Sequence, residues 1–300
     1  MPALRAPARS APSRFFVLLL APALTVLALV TLAPFAFLLV TSLTPLNLAK
    51  PATWWDLGRP LVNFLELPGD RRFLNSLGVQ LRLSALTVGL QLLLGLGAAM
   101  LLNSRLRFLE MIRALFIIPM VLPPIVVAII WKVLFTPDIS VVNWLLGLLG
   151  LPQPAWLADP GLALPAIVIA DVWEWFPFTM LMLLAALKML PDEPLEAARI
   201  DGAGSWQVFR HIVLPLLRPA IVVTALFRLI ESVKAFPLIF VMTGGGPGTV
   251  TEATNYYAYL QGFNYSLIGF SAAISVVILA GTFAVSAAII RLAGARVDVE

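Results

Sequence analysis

The chain has 300 residues, of which 60% are hydrophobic and only 12% charged, and its mean hydropathy is +0.96. Soluble domains carry about 25% charged residues, so the composition excludes an ordinary soluble domain and indicates a membrane protein. A net charge of +4 then implies no nucleic-acid partner. With no cysteine and a single histidine, His211, disulfides, thiolate sites and a histidine-rich metal centre are excluded too.

A spanning helix needs about 20 mostly apolar residues. Six stretches qualify, near 15–41, 76–103, 114–135, 162–190, 219–243 and 266–291. The first follows Arg5, Arg9 and Arg14. Its apolar run, Phe15 to Val40, is much longer than the core of a secretion signal, so it reads as a retained span. Pro119, Pro123 and Pro124 interrupt the third span, Pro177 the fourth and Pro237 the fifth, each removing a helix hydrogen bond. Between spans three and four, Val141 to Leu151 is too short to cross. It fits an interfacial helix with Trp144 and Trp156 at headgroup depth.

Orientation follows from the basic residues. With the N-terminus inside, the inner segments hold Arg5, Arg9, Arg14, Arg105, Arg107, Arg113, Lys188, Arg199, Arg210, Arg218, Arg291 and Arg296. The outer segments hold only Lys50, Arg59, Arg71 and Arg72. This bias places both termini in the cytoplasm. Arg82, Lys132, Arg228 and Lys234 fall inside spans, as do Asp171, Glu174 and Glu231. Snorkelling toward a helix end accounts for Arg82 and Lys132. Glu231 and Lys234 share a helix face, and both structural pairing and pathway lining fit them.

Residues 191–218, between spans four and five, are the polar exception on the cytoplasmic side. Pro191 and Pro194 suit a turn and a helix start, and Asp192 and Glu193 suit a helix N-terminus. LEAARI is a good helix former, and Gly202 and Gly204 then stop or bend it. Ser205 is the expected N-cap of a second helix. There Trp206, Phe209, Ile212 and Val213 share a face, and Pro215 is expected to end it. An amphipathic loop lying on lipid is the simple alternative. Such a loop has no need of a tight glycine corner, whereas a rigid protein-docking element does.

This stretch resembles the EAA loop of binding-protein-dependent ABC importer permeases. Glu196-Ala197-Ala198 is followed at the family spacing by Gly202 and by Ile212-x-Leu214-Pro215, and EAARIDGAG is similar to the carbohydrate-importing branch. The resemblance extends to NSL at Asn75–Leu77, to IIPMVLPPIVVAIIWKVLF, and to VMTGGGPG with TNYYAYLQGFNYS. It implies an all-α polytopic protein of about six transmembrane helices in the bacterial inner membrane. Residues 1–14 would be a cytoplasmic segment and 15–300 a single permease domain, with its core near 70–292.

The resemblance further implies that Glu196, Ala197, Ala198, Arg199, Asp201, Gly202, Ala203, Gly204, Trp206 and Phe209 contact an ATPase subunit. The implied partners are two ATPases, a second, non-identical permease subunit, and an extracytoplasmic binding protein. ATP and magnesium would sit on the ATPase, leaving this chain without a cofactor or a catalytic residue. The chain itself agrees: Lys50, Lys132, Lys188 and Lys234 follow Ala49, Trp131, Leu187 and Val233, so there is no Gly-Lys-Ser/Thr P-loop. GGGPG reads as an outer turn.

Irregular backbone at membrane depth is tolerated where it lines a cavity or is buried in protein. That makes Asp171, Trp173, Glu174, Glu231, Lys234 and Phe236 candidates for a polar-solute pathway. Carboxylates accept hydrogen bonds from hydroxyls, and indole faces suit the apolar face of a sugar or polyol. Simple interhelical packing of Trp173 and Trp175 is the other reading. A secondary transporter driven by an ion gradient is the alternative function. An embedded enzyme would need nucleophiles or ligands that this composition lacks.

Overall fold

The computed structural model describes residues 14–53, 56–103 and 107–293. Arg5, Arg9, Arg105, Arg296 and nearly all of segment 1–14 lie outside them. The described chain is all-α and polytopic. Five helices are long and apolar enough to cross a membrane, and a sixth crossing is counted if one bent pair forms a single span.

The first spanning helix, α1 (Arg14–Ser42), packs mainly on the last, α13 (Ile268–Ala293). Its most apolar window has nothing buried within the protein, so its side chains are left to lipid or to another subunit. The join is tight at one point. A Cβ on Gly269 would stand 2.0 Å from the Thr44 carbonyl oxygen, so glycine is what lets these backbones meet.

A short helix, α2 (Val62–Glu66), leads into α3 (Arg71–Leu101). Asp70 caps α3 by accepting from the Arg72 and Phe73 amides at 2.8 and 3.2 Å. This satisfies donors that a helix start leaves free. Further along, α3 lies against α7 (Ala163–Lys188). The contact is close because Gly95 meets Thr179, where a Cβ would come within 2.6 Å of Cγ2.

The third predicted span is not one straight helix. It divides into α4 (Arg107–Val121) and α5 (Pro124–Phe135), bent by 100° at the break. Pro123 and Pro124 have no amide to continue the ladder, and each disfavours the helical conformation of the residue before it. After α5 comes α6 (Val141–Leu148), an eight-residue helix. Trp144 on it is exposed. Trp156 instead donates to Asn143 at 2.8 Å and packs on Phe135, so its ring is fixed by protein rather than left at a lipid surface. Pro177 does not break α7, which runs unbroken from Ala163 to Lys188.

The predicted fifth span needs the larger correction. After α8 (Asp192–Ile200) and α9 (Ser205–Val208), a π-helical turn (Phe209–Val213) runs directly into α10 (Leu214–Ser232). Pro215 therefore does not end the second helix. Leu214 N–H reaches back to Phe209 O, and this wider turn tolerates the donor that proline lacks. The continuous helix then stops at Ser232, earlier than expected. α11 (Phe236–Met242) is a separate short helix packed mainly on α5. α12 (Thr254–Tyr259) returns the chain to α13.

Three apolar clusters hold these elements. One joins Val79, Leu83, Val127, Phe135, Ile167, Leu238 and Ile239. A second joins Ala99, Met180, Leu183 and Leu217, and a third Phe73, Tyr257, Ala273 and Ile274. Between the first and the second lies a layer of buried polar groups.

Candidate functional site

Two regions carry the candidate residues. The first is the corner between α8 and α9. Asp201 closes α8, and Gly202 follows with φ +75°. The Gly202 and Ala203 amides donate to the Arg199 and Ala198 carbonyls at 3.1 and 2.9 Å. This is the Schellman pairing, in which the residue after the helix takes a left-handed conformation that favours glycine. The residue heading α9 is Gly204, not Ser205. The Gln207 side chain accepts from the Gly204 amide at 2.8 Å, the half of a capping box that the third helical residue supplies.

The corner is rigid in its backbone and open at its surface. Of the predicted contact residues, Ala198 is buried and Ala203 and Phe209 are half-buried, while Glu196, Ala197, Arg199, Asp201, Gly202, Gly204 and Trp206 are exposed. Ile200 is 86% and Trp206 67% exposed. The Trp206 ring lies 5.4 Å from that of Phe209. Beside them Asp201, Gly202, Gln207 and His211 border a concavity of about 440 Å³. Nothing stands within 4 Å of a Cβ placed on Gly202, so glycine is required there by backbone conformation and not by crowding.

The second region is the buried polar layer where α3, α7 and α10 meet. Gln91 donates to Asp171 Oδ1 at 2.8 Å and to the Asp171 carbonyl at 3.1 Å. Its own oxygen accepts from Arg228 Nε at 2.8 Å. Arg228 Nη2 lies 3.7 Å from Asp171 Oδ1, and the guanidinium stands 4.7 Å from the Trp175 ring centroid. All three polar side chains are buried. Glu174, one turn from Asp171, is 1% exposed. Neither of its carboxylate oxygens has a partner among the described residues.

The other predicted pathway residues lie apart from this cluster. Trp173 packs edge-on against Trp131 at 5.8 Å. Glu231 and Lys234 pair at 2.8 Å, with side chains 40% and 65% exposed. Phe236 joins Phe240, Tyr256 and Tyr259 in an aromatic group.

The break between α10 and α11 is sealed by side chains. Asn255 donates to the Val233 carbonyl at 2.7 Å, and Gln80 to the Ser232 carbonyl at 3.4 Å. Ser232 also bonds Ser84 at 2.8 Å. Freed carbonyls of a broken helix need such partners at membrane depth.

Comparison with known proteins agrees with this arrangement. Residues 91–298 match the family model described as binding-protein-dependent transport system inner membrane component. The chain belongs to that family. It is 39% identical over 216 residues to the trehalose/maltose transport system permease protein MalF of Thermococcus litoralis, covering 72% of this chain and 73% of that one. It is 33% identical over 292 residues to the trehalose transport system permease protein SugA of Mycobacterium tuberculosis, covering 97% and 92%. A chain of a bacterial ABC transporter involved in the import of the acidic polysaccharide alginate has the same fold. There the TM-score is 0.78 at 20% identity, over 96% of this chain and 97% of that one.

The protein is thus an ABC importer permease subunit, a multi-pass protein of the inner membrane and not an enzyme. Membership sets aside the ion-gradient-driven alternative. Within the permease, GGGPG is an ordered turn. Gly244, Gly245 and Gly248 have φ of 59°, 84° and 60°, and a Cβ on Gly245 would lie 2.8 Å from Tyr256 Cε1. Asn75, from the NSL motif, donates to the Thr249 carbonyl at 2.9 Å. Arg72 grips Glu252 with two bonds, at 2.8 and 2.7 Å. Tyr257 donates to Asp70. Burial and that bond push its phenol above the ordinary value, so it stays protonated as the donor.

Sequence reasoning missed Gln91 and gave Arg228 no role. A signal existed. Acids in span four and bases in span five, each costly alone in a bilayer, predict an interhelical pair. Gln91 offered only a lone amide in an apolar run.

Proposed function

We propose that this permease subunit carries a small sugar, of disaccharide size, handed over by an extracytoplasmic binding protein. Import is powered by ATPase subunits that dock on residues 192–213. Both termini and this corner face the cytoplasm, a reading supported by the distribution of arginine and lysine along the chain. The sugar assignment is supported by relatives whose names specify trehalose and maltose. The assembly has a second, homologous permease subunit and two ATPases, with residues 15–300 forming one permease domain.

The single observation that carries the docking role is the Schellman corner, which holds Ile200 and Trp206 exposed on a fixed backbone. Large apolar side chains on such a frame are what a partner's cleft buries. The ATPase closes on this corner, and α10, continuous with α9, passes the displacement into the membrane. At its other end α10 carries Arg228 into the buried polar layer, so motor and pathway share one rigid element. Glu174, with its two free acceptor oxygens, is the group that a sugar hydroxyl meets when the layer opens. Asp171 lies one turn away on the same helix, and Trp173, Glu231, Lys234 and Phe236 belong to other stretches of the same route.

The test uses the reconstituted transporter. Gly202→Asp is expected to abolish ATPase co-purification or to uncouple hydrolysis from uptake, while full activity with that change would sink the docking role. Glu174→Gln is expected to change the KM for disaccharide uptake, with basal ATPase activity intact. An unchanged KM and rate would remove Glu174 from the pathway.

A further inference from the structure

Arg228 is buried but loosely held. It is 1% exposed, and its one hydrogen bond among the described residues runs from Nε to Gln91 Oε1 at 2.8 Å. Its Nη2 stands 3.7 Å from Asp171 Oδ1, beyond hydrogen-bond range. A guanidinium carries five N–H donors, so most of them are unspent. Asp171 is better satisfied. It accepts from Gln91 Nε2 at its carboxylate and at its carbonyl, at 2.8 and 3.1 Å, and keeps both bonds if the base departs.

The opposite lack lies one turn further along α7. Glu174 is 1% exposed, and both of its carboxylate oxygens are without a partner among the described residues. A buried carboxylate is costly unless it is paired. Asp171 and Glu174 are three residues apart, about 4.5 Å of rise, and share a helix face. Trp175 stands next to Glu174 and one turn from Asp171, and its ring centroid is 4.7 Å from the guanidinium. Arg228 and Glu174 are within electrostatic reach of each other. One base thus stands between two buried acids, tied to the first and missing from the second.

The acids sit on α7 and the base on α10. α9 and α10 run as one spanning helix from Ser205 to Ser232, so the far end of the arginine's helix is the 192–213 corner. Packed helix interfaces switch between discrete arrangements by displacements of about 1–2 Å. Such a displacement, with a change of arginine rotamer, covers a step of about 4.5 Å.

We propose that Arg228 transfers from Asp171 to Glu174 when the ATPases close, and that this transfer assembles the solute contact. The guanidinium donates to one Glu174 oxygen, and the other oxygen accepts from a sugar hydroxyl. The remaining donors of Arg228 face a sugar oxygen. Gln91 holds Asp171 meanwhile, and the Trp175 face keeps the cation in both positions. The proposal rests on docking at the 192–213 corner and deepens the role given to Glu174.

The assembled transporter in nanodiscs tests it through ATP hydrolysis, with and without the binding protein and saturating trehalose. Asp171→Asn removes the resting partner, which favours the transferred state. Hydrolysis without the binding protein is expected to rise at least threefold. Glu174→Gln removes the receiving partner, and the maximal stimulated rate is expected to fall at least fivefold. In the double variant the threefold rise disappears, because it needs the Glu174 carboxylate. No rise in Asp171→Asn, or a rise that persists in the double variant, overturns the transfer. So does loss of folding in Asp171→Asn, since Glu174 would then not be receiving the base. A Glu174→Gln effect on KM alone, with the maximal rate kept, leaves Glu174 as a solute contact and overturns the transfer. Gly202→Asp in the same assay reads the docking role separately: full coupling there sinks the docking and leaves the double-variant comparison to decide the transfer.

Discussion

The buried layer around Asp171 and the corner around Gly202 are both polar interruptions of an apolar chain, resolved in opposite ways. In the first, the charges find partners within the chain: Gln91 serves Asp171 and Arg228 at once, and Trp175 lies against the guanidinium. In the second, the backbone hydrogen bonds close locally while Ile200 and Trp206 stay exposed. A region completed internally contributes to folding. A region whose frame is complete but whose surface is bare is prepared for another molecule. Glu174 stands between these cases, buried like the first and unpartnered like the second.

Breaking the internally completed region has the largest expected effect. Arg228→Met leaves the Asp171 carboxylate buried without its cation, at a cost of about 3–5 kcal/mol. Thermal unfolding of the purified transporter should fall accordingly, and Asp171→Asn in the same chain should restore most of the loss. Equal melting of the single variant and the parent would mean that the pair is not buried in the working protein.

The corner should respond through binding instead. Trp206→Ala is expected to weaken the ATPase–permease interface by about 2 kcal/mol or more, as truncation of an aromatic anchor does, without changing membrane-domain stability. Titration of the ATPase onto the permease in nanodiscs reads the first, and thermal unfolding of the permease alone reads the second. Gly202→Ala tests the frame under that surface. A side chain at φ +75° costs about 1–2 kcal/mol, visible as a small loss of ATPase affinity with the chain still folded. An affinity as high as the parent's would show that the left-handed turn is dispensable.

The smallest effect is expected at the exposed Glu231–Lys234 pair. Glu231→Gln should shift stability by no more than about 0.5 kcal/mol, so any marked change in uptake belongs to solute passage. Unchanged uptake would assign the pair to surface electrostatics.

Much of this was legible in the sequence because the bilayer leaves few options. Span number followed from apolar length, and the corner from the spacing of Glu196, Gly202 and Pro215, since helix ends and glycine turns are local. Pairings between distant segments were not legible. Gln91 and Arg228 are 137 residues apart, and no local pattern says that they touch. Two of the prolines misled, while the pair in the third span breaks its helix as expected. Pro177 and Pro215 sit inside helices, whereas Pro123 and Pro124 together turn the chain through 100°. One missing amide is absorbed by a widened or interrupted turn, and two in succession are not.

By itself the sequence determined the class of protein, the approximate number of spans and the glycine corner after α8, because each rests on hydrophobic length or on contacts within one turn of helix. Only the tertiary structure decided where α10 ends, that α11 folds back on α5, and which buried charges are paired. Those outcomes depend on side chains from separate helices, such as Gln80 and Asn255, reaching carbonyls that a broken helix sets free.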